Sequence, residues 1–151
     1  MRGGFLVLAP DSRGRSWDVI VGGYGPDVRF IDRALAAVFD RYAVDPRHIA
    51  IGGFSDGASY ALSLGLINGA LFTHVLAFSP GFMAPTGVAD SPRFFVSHGV
   101  RDEVLPIDRT SRRLVPRLRR SGYEVEYREF ADGHLVPPEL ASAAVDWFLS
   151  E

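Results

Sequence analysis

The chain has 151 residues, 47% of them hydrophobic, with sixteen basic residues against eighteen acidic and a formal net charge of −2. That length suits one domain burying about 70% of its unfolded surface, and the near-neutral charge gives no reason to expect nucleic acid or an anionic membrane as partner. The absence of cysteine excludes disulfides, thiolate metal sites and a cysteine nucleophile.

In chain order, the apolar run at residues 5–9 comes first, followed by the turn signal Pro10-Asp11-Ser12. A bilayer span needs about 20 apolar residues, and no signal-peptide cleavage site follows. The run therefore reads as a buried strand of a cytoplasmic protein. Residues 10–26 form a polar, Gly-rich loop. Ile31, Leu35, Val38, Phe39 and Tyr42 recur at three- and four-residue steps, which predicts an amphipathic helix over 27–42.

Asp45-Pro46 marks a turn, after which 48–54 reads as a second strand and 56–67 as a helix. Strands at 74–78 and 94–97 flank a Pro- and Gly-rich loop. A helix over 109–120 carries Pro116, an expected kink, and Gly122 marks its stop. A fifth strand at 125–130 and a helix at 138–149 complete the chain, the latter with Leu140, Ala144, Trp147 and Phe148 facing inward. Alternating strands and helices predict an α/β fold: a mostly parallel sheet of about five strands with helices on both faces. The runs LVLA, IAIGGF, VLAF and FFVS are apolar throughout, as strands covered on both faces should be. No linker or repeat divides residues 1–151, so a single domain is expected.

The segment Gly53-Phe54-Ser55-Asp56-Gly57 has an expected strand before it and an expected helix after it. That context exposes a serine oxygen on a sharp turn, and the glycines leave room where backbone crowds backbone. The competing reading makes Ser55 a helix N-cap. A serine nucleophile needs a base, and sites in open parallel sheets form beyond the carboxyl ends of the strands. His48 and His74 lie at strand starts. His98 and His134 follow strand ends. The order nucleophile, acid, histidine selects Asp102, after the fourth strand, as the acid and His134, after the fifth, as the base. Glu103 and Asp108 are weaker choices of acid, and an ion pair of Asp102 with Arg101 or Arg109 is the alternative to a catalytic role.

The segments APDSRGRSWD, GGYGPD, IGGFSDGASYALSLGL, FSPGFM, SHGVRDEVLPID, LRRSGYEVEYREF and DGHLVPPE together resemble the alpha/beta-hydrolase esterases. The likeness is strongest to the phospholipase/carboxylesterase and polyhydroxybutyrate-depolymerase-like group, and it runs along nearly the whole chain. It implies ester hydrolysis through an acyl-enzyme, with Ser55, His134 and Asp102 as the triad, a small-molecule ester as substrate, and no cofactor or metal. One oxyanion donor in such a fold is the N–H after the nucleophile, here Asp56. Phe54, Phe82, Met83 and Leu135 are expected pocket walls, with core packing the alternative for Phe82 and Met83. The lack of a lid-sized insertion suggests short acyl groups.

The resemblance aligns residues 5–9 with the family's fourth strand, so the family's upstream His-Gly loop, source of the second oxyanion donor, has no counterpart. Three outcomes are open: the first strand slides over to pair with 48–54, a second copy completes the sheet, or the chain is a fragment. A rearranged, self-associating sheet is the expectation, because open edges invite pairing; a catalytically idle binding or assembly module is the rival. Gly22-Gly23-Tyr24-Gly25, before a helix start, offers a candidate replacement donor. Neither a Gly-x-Gly-x-x-Gly pattern nor a P-loop lysine supports phosphate binding there.

Overall fold

Of the five expected strands, four form in the computed structural model, which describes residues 4–88 and 90–150. The chain divides into two compact units, Met1–Tyr42 and Ala43–Glu151.

The first unit holds two helices, α1 (Asp18–Val21) and α2 (Pro26–Arg41). Proline suits the start of α2 because its fixed φ is helical and its missing N–H has no intrahelical partner there. The four-residue α1 lies inside the expected loop and exists because two aspartates brace it. The carboxylate of Asp27 accepts the N–H groups of Arg13 (2.6 Å) and Asp18 (2.7 Å). That of Asp18 accepts those of Gly25 (2.8 Å) and Asp27 (3.1 Å). Residues 5–9 are irregular rather than a strand, and Phe5, Leu6, Val7 and Leu8 are exposed. A strand persists only within a ladder of hydrogen bonds, and this unit contains no other strand among its described residues.

The second unit carries β1 (Ala50–Phe54), α3 (Asp56–Ile67), β2 (His74–Phe78), β3 (Arg93–Gly99), a 3-10 turn (Ile107–Arg109), α4 (Ser111–Arg120), β4 (Val125–Phe130) and α5 (Pro138–Leu149). The sheet is parallel throughout, in the order β1-β2-β3-β4. Among the described residues it has four strands, one fewer than expected, because residues 5–9 form no strand. The predicted helix over 109–120 is a 3-10 turn followed by α4, with Pro116 inside α4.

Strand residues alternate between faces. Val75, Ala77, Phe94 and Val96 point to one side, where they meet Ala58, Ala61, Leu62 and Leu66 of α3 and Leu114, Val115 and Leu118 of α4. Burying a leucine such as Leu62 there stabilises the fold by about 2–3 kcal/mol. Phe95 points to the other side and packs against Trp147 of α5. Helices thus lie on both faces, as the apolar runs of β2 and β3 required, while Gly52 and Phe54 of β1 are exposed.

Candidate active site

In a parallel sheet every strand delivers its following loop to the same end. Ser55 follows β1, Asp102 follows β3 and His134 follows β4, so residues far apart in the chain converge.

Ser55 has φ 58° and ψ −117°, a backbone state that non-glycine residues hold only when neighbours impose it. Its N–H donates to the Phe78 carbonyl (2.9 Å), and its own carbonyl accepts the Ser59 N–H (3.0 Å). A Cβ at Gly53 would overlap the carbonyl group of Gly57, which is the steric reason for that glycine. The serine makes no side-chain cap bond, contrary to the N-cap alternative. Its Oγ lies 3.0 Å from Nε2 of His134.

Nδ1 of His134 lies 2.6 Å from Oδ2 of Asp102. A carboxylate only accepts, so Nδ1 carries the proton and Nε2 presents a lone pair to the Ser55 hydroxyl. Asp102 has a fully buried side chain and is not a surface partner of Arg101 or Arg109. Its Oδ1 accepts the N–H groups of Val104 (2.9 Å) and Leu105 (2.7 Å). Burial pushes its carboxyl up. The Leu105 N–H and the hydrogen bond and charge of His134 outweigh that, so its pKa lies below the usual carboxylate value.

The other histidines have partners other than Ser55. His98 is fully buried with both ring nitrogens occupied. His74 pairs in register with Ala50, at the start of β1 and away from Ser55. His48 stacks on His74 and approaches Asp45. Of the weaker acid candidates, Asp108 is paired with Arg112 at 2.8 Å, and Glu103 lines a cavity of about 410 Å³ beside His134 together with Arg101, Val104, Asp132 and Gly133.

The expected wall residues divide. Phe54 lays its ring 4.7 Å from that of His134, and Leu135 is partly exposed next to it. Met83 packs on the hydrophobic core, and the Phe82 N–H donates to Ser59 Oγ (3.2 Å). Asp56 opens α3 directly after Ser55. The Gly22–Gly25 loop is no open anion cradle. The N–H groups of Gly22 and Gly23 donate to the Asp18 carbonyl, and that of Gly25 to its carboxylate. The chain's own Asp18 occupies the position an external anion would take.

Sequence reasoning passed over the serines of α3. Ser59 Oγ accepts the Gly81 (2.9 Å) and Phe82 N–H groups, and Ser63 Oγ accepts that of Ala84 (2.8 Å). Their spacing, four and eight residues after Ser55, was the available signal, since it puts all three on one helical face. No group of His, Asp or Glu among the described residues could hold a metal ion, and no described helix is long and apolar enough to cross a membrane.

A parallel sheet covered by helices on both faces, with a serine on a strained strand-to-helix turn, defines the chain's class, the alpha/beta-hydrolase superfamily. Residues 28–148 match the Phospholipase/Carboxylesterase family model, and the chain belongs to that family. Among solved structures it is similar to esterase PE8, with 26% identity over 79% of this chain and 58% of that one, at a TM-score of 0.68. It also resembles a Mesorhizobium loti carboxylesterase (23% identity, 82% and 62% covered, TM-score 0.64). A Bacillus cereus carboxylesterase is similar as well (20% identity, 80% and 57% covered, TM-score 0.64). The last two likenesses speak to fold alone, and the chain spans 57–62% of the length of these three structures. No curated protein matches it in sequence.

Proposed function

We propose that the protein hydrolyses carboxylic esters with Ser55 as nucleophile, His134 as general base and acid, and Asp102 as the group that orients and stabilises the imidazole. The observation that carries this reading is the continuous chain of contacts from Ser55 Oγ to His134 Nε2 (3.0 Å) and from His134 Nδ1 to Asp102 Oδ2 (2.6 Å). Ser55 Oγ attacks the ester carbonyl carbon while its proton passes to Nε2 of His134. The imidazolium gains stability from the ionised Asp102. As the tetrahedral intermediate collapses, Nε2 returns the proton to the departing alkoxide, leaving an acyl-serine. Water then attacks the acyl carbon, His134 again takes and returns the proton, and Ser55 is released with the carboxylic acid.

We assign one oxyanion donor to the N–H of Asp56, at the positive end of the α3 dipole. Phe54 and Leu135 supply apolar surface beside His134, consistent with short acyl groups. A second reading, a weakly active or idle family member serving as a binding or assembly module, is favoured by the occupation of the Gly22–Gly25 amides by Asp18. Losing one oxyanion donor lowers kcat by about 10² to 10³.

A fluorophosphonate probe together with p-nitrophenyl acetate separates the two. Labelling and turnover that vanish in Ser55→Ala support the hydrolase; folded protein that neither labels nor turns over the ester rules it out. Self-association remains part of the proposal, because among the described residues β1 pairs with β2 alone and an edge strand invites pairing. A monomer by light scattering would remove it.

A further inference from the structure

His98, which sequence order sets aside as a base, touches the same carboxylate from the other side. Its Nε2 lies 3.1 Å from Oδ2 of Asp102 and 2.8 Å from the Leu105 carbonyl oxygen. Both neighbours accept, so Nε2 carries a proton; a bare lone pair would face two others. Burial favours the neutral ring, against the opposing pull of the Leu105 carbonyl and Asp102. In a neutral ring protonated at Nε2, Nδ1 is an acceptor. Ser111 Oγ, 2.7 Å away, therefore donates to it and selects that tautomer.

Asp102 accepts three hydrogen bonds, from Val104 and Leu105 N–H at Oδ1 and from His134 at Oδ2, while the His98 Nε2–H donates to the Leu105 carbonyl and lies 3.1 Å from Oδ2. The donors are not equivalent. Val104 and Leu105 belong to the same loop as Asp102 and move with it. His98 stands on β3, an interior strand bonded on both flanks, so it refers that loop to the sheet.

We propose that His98 is a positioning residue for Asp102: its Nε2–H, held in the right tautomer by Ser111, donates to the Leu105 carbonyl and lies 3.1 Å from Oδ2, anchoring the loop whose Leu105 N–H holds the carboxylate so that Oδ2 meets Nδ1 of His134. The role rests on the triad reading of Ser55, His134 and Asp102.

The test compares His98→Leu, His98→Gln and Ser111→Ala in the full chain. The readouts are p-nitrophenyl acetate kinetics and the far-downfield proton signal of His134 Nδ1–H. Misorienting a catalytic group costs up to about 100-fold, so His98→Leu should lose about 10- to 100-fold in kcat with little change in KM. The downfield signal should shift or vanish. The amide N–H of His98→Gln reaches the same place, so it should restore most of the kcat and the signal; Ser111→Ala should lose less than His98→Leu. A merely structural histidine would give no such rescue. Wild-type kcat in His98→Leu, or a glutamine variant no better than leucine, overturns the proposal. Should His98→Leu fail to fold, folded Ser111→Ala decides: a lowered kcat and moved signal support the role, and wild-type behaviour overturns it. If the wild-type protein cleaves no ester, the proton signal alone decides, since it reports the Asp102–His134 bond without substrate.

Discussion

Gly99, the last residue of β3, lies directly against the carbonyl oxygens of Asp132 and Gly133, leaving no space for a Cβ. Next to it, the Val100 and Arg101 N–H groups donate to the carbonyls of Phe130 and Asp132, each at 2.9 Å. The segment leading to Asp102 is thereby laced to the segment leading to His134. Their side chains meet at 2.6 Å because their backbones already touch.

Gly99→Ala should force those segments apart. Overpacking of this kind costs about 1–3 kcal/mol, to be read as a lower urea midpoint with unchanged m-value. Displacing His134 from Ser55 should also lower kcat for p-nitrophenyl acetate by up to about 100-fold. A variant with wild-type midpoint and kcat would show that the loops yield freely.

Asp102→Asn keeps the shape of the side chain but allows its amide to donate toward His134, favouring the tautomer with Nδ1 as acceptor. In a serine–histidine–aspartate arrangement that exchange lowers kcat by about 10⁴. Circular dichroism should remain that of the folded chain while fluorophosphonate labelling slows sharply. Labelling at the wild-type rate would place the active acid elsewhere.

Ser59→Ala removes the acceptor shared by the Gly81 and Phe82 N–H groups. Leaving such donors unmet costs about 1–3 kcal/mol, and the loop between β2 and β3 loses one tie to α3, keeping that of Ser63 to Ala84. Amide exchange at residues 81 and 82 should quicken. If residues of this loop border the acyl group, KM should rise more than kcat falls. Unchanged exchange at both positions would count against the tie.

His74 introduces an acid sensitivity at the opposite end of the sheet. It is 5% exposed, and burial, followed by the charges of Arg93 and His48, lowers its pKa from 6.5 to about 4. Between those values the unfolded chain binds the extra proton and the folded chain does not, so stability rises with pH across that window and falls as pH drops. The total is on the order of 3 kcal/mol. Asp102, whose pKa is also depressed, contributes at lower pH: its stabilisation is present above the ordinary carboxylate value and lost as pH falls through the folded one. Urea midpoints of His74→Leu should vary less between pH 6.5 and pH 4 than those of the wild type. An unchanged slope would assign the sensitivity to other groups.

Much of this was legible in the sequence because its causes are local or topological. The run before Ser55 had to be a strand, the stretch after it a helix, and the glycines had to flank a crowded turn. Chain order and the common end of parallel strands singled out Asp102 and His134 from the other acids and histidines. Residues 5–9 show the limit of that reasoning. Their apolar pattern is that of a covered strand, yet pattern supplies no ladder partner, and the sheet ends at β1 instead.

The sequence by itself determined the alternation of strands and helices, the strained serine turn and the residue types available for acid–base chemistry, because backbone sterics and hydrophobic periodicity act over a few residues. Tertiary structure alone decided how the buried polar groups pair. It placed Ser59 under the Gly81 and Phe82 amides, closed the Gly22, Gly23 and Gly25 amides on Asp18, and set His98 between Ser111 and the Leu105 carbonyl beside Asp102. Those outcomes depend on which donors and acceptors are brought within about 3 Å after folding, where each must find a partner or bear the cost of desolvation. Spacing along α3 puts Ser59 and Ser63 on the face of Ser55, but it does not name the amides they meet.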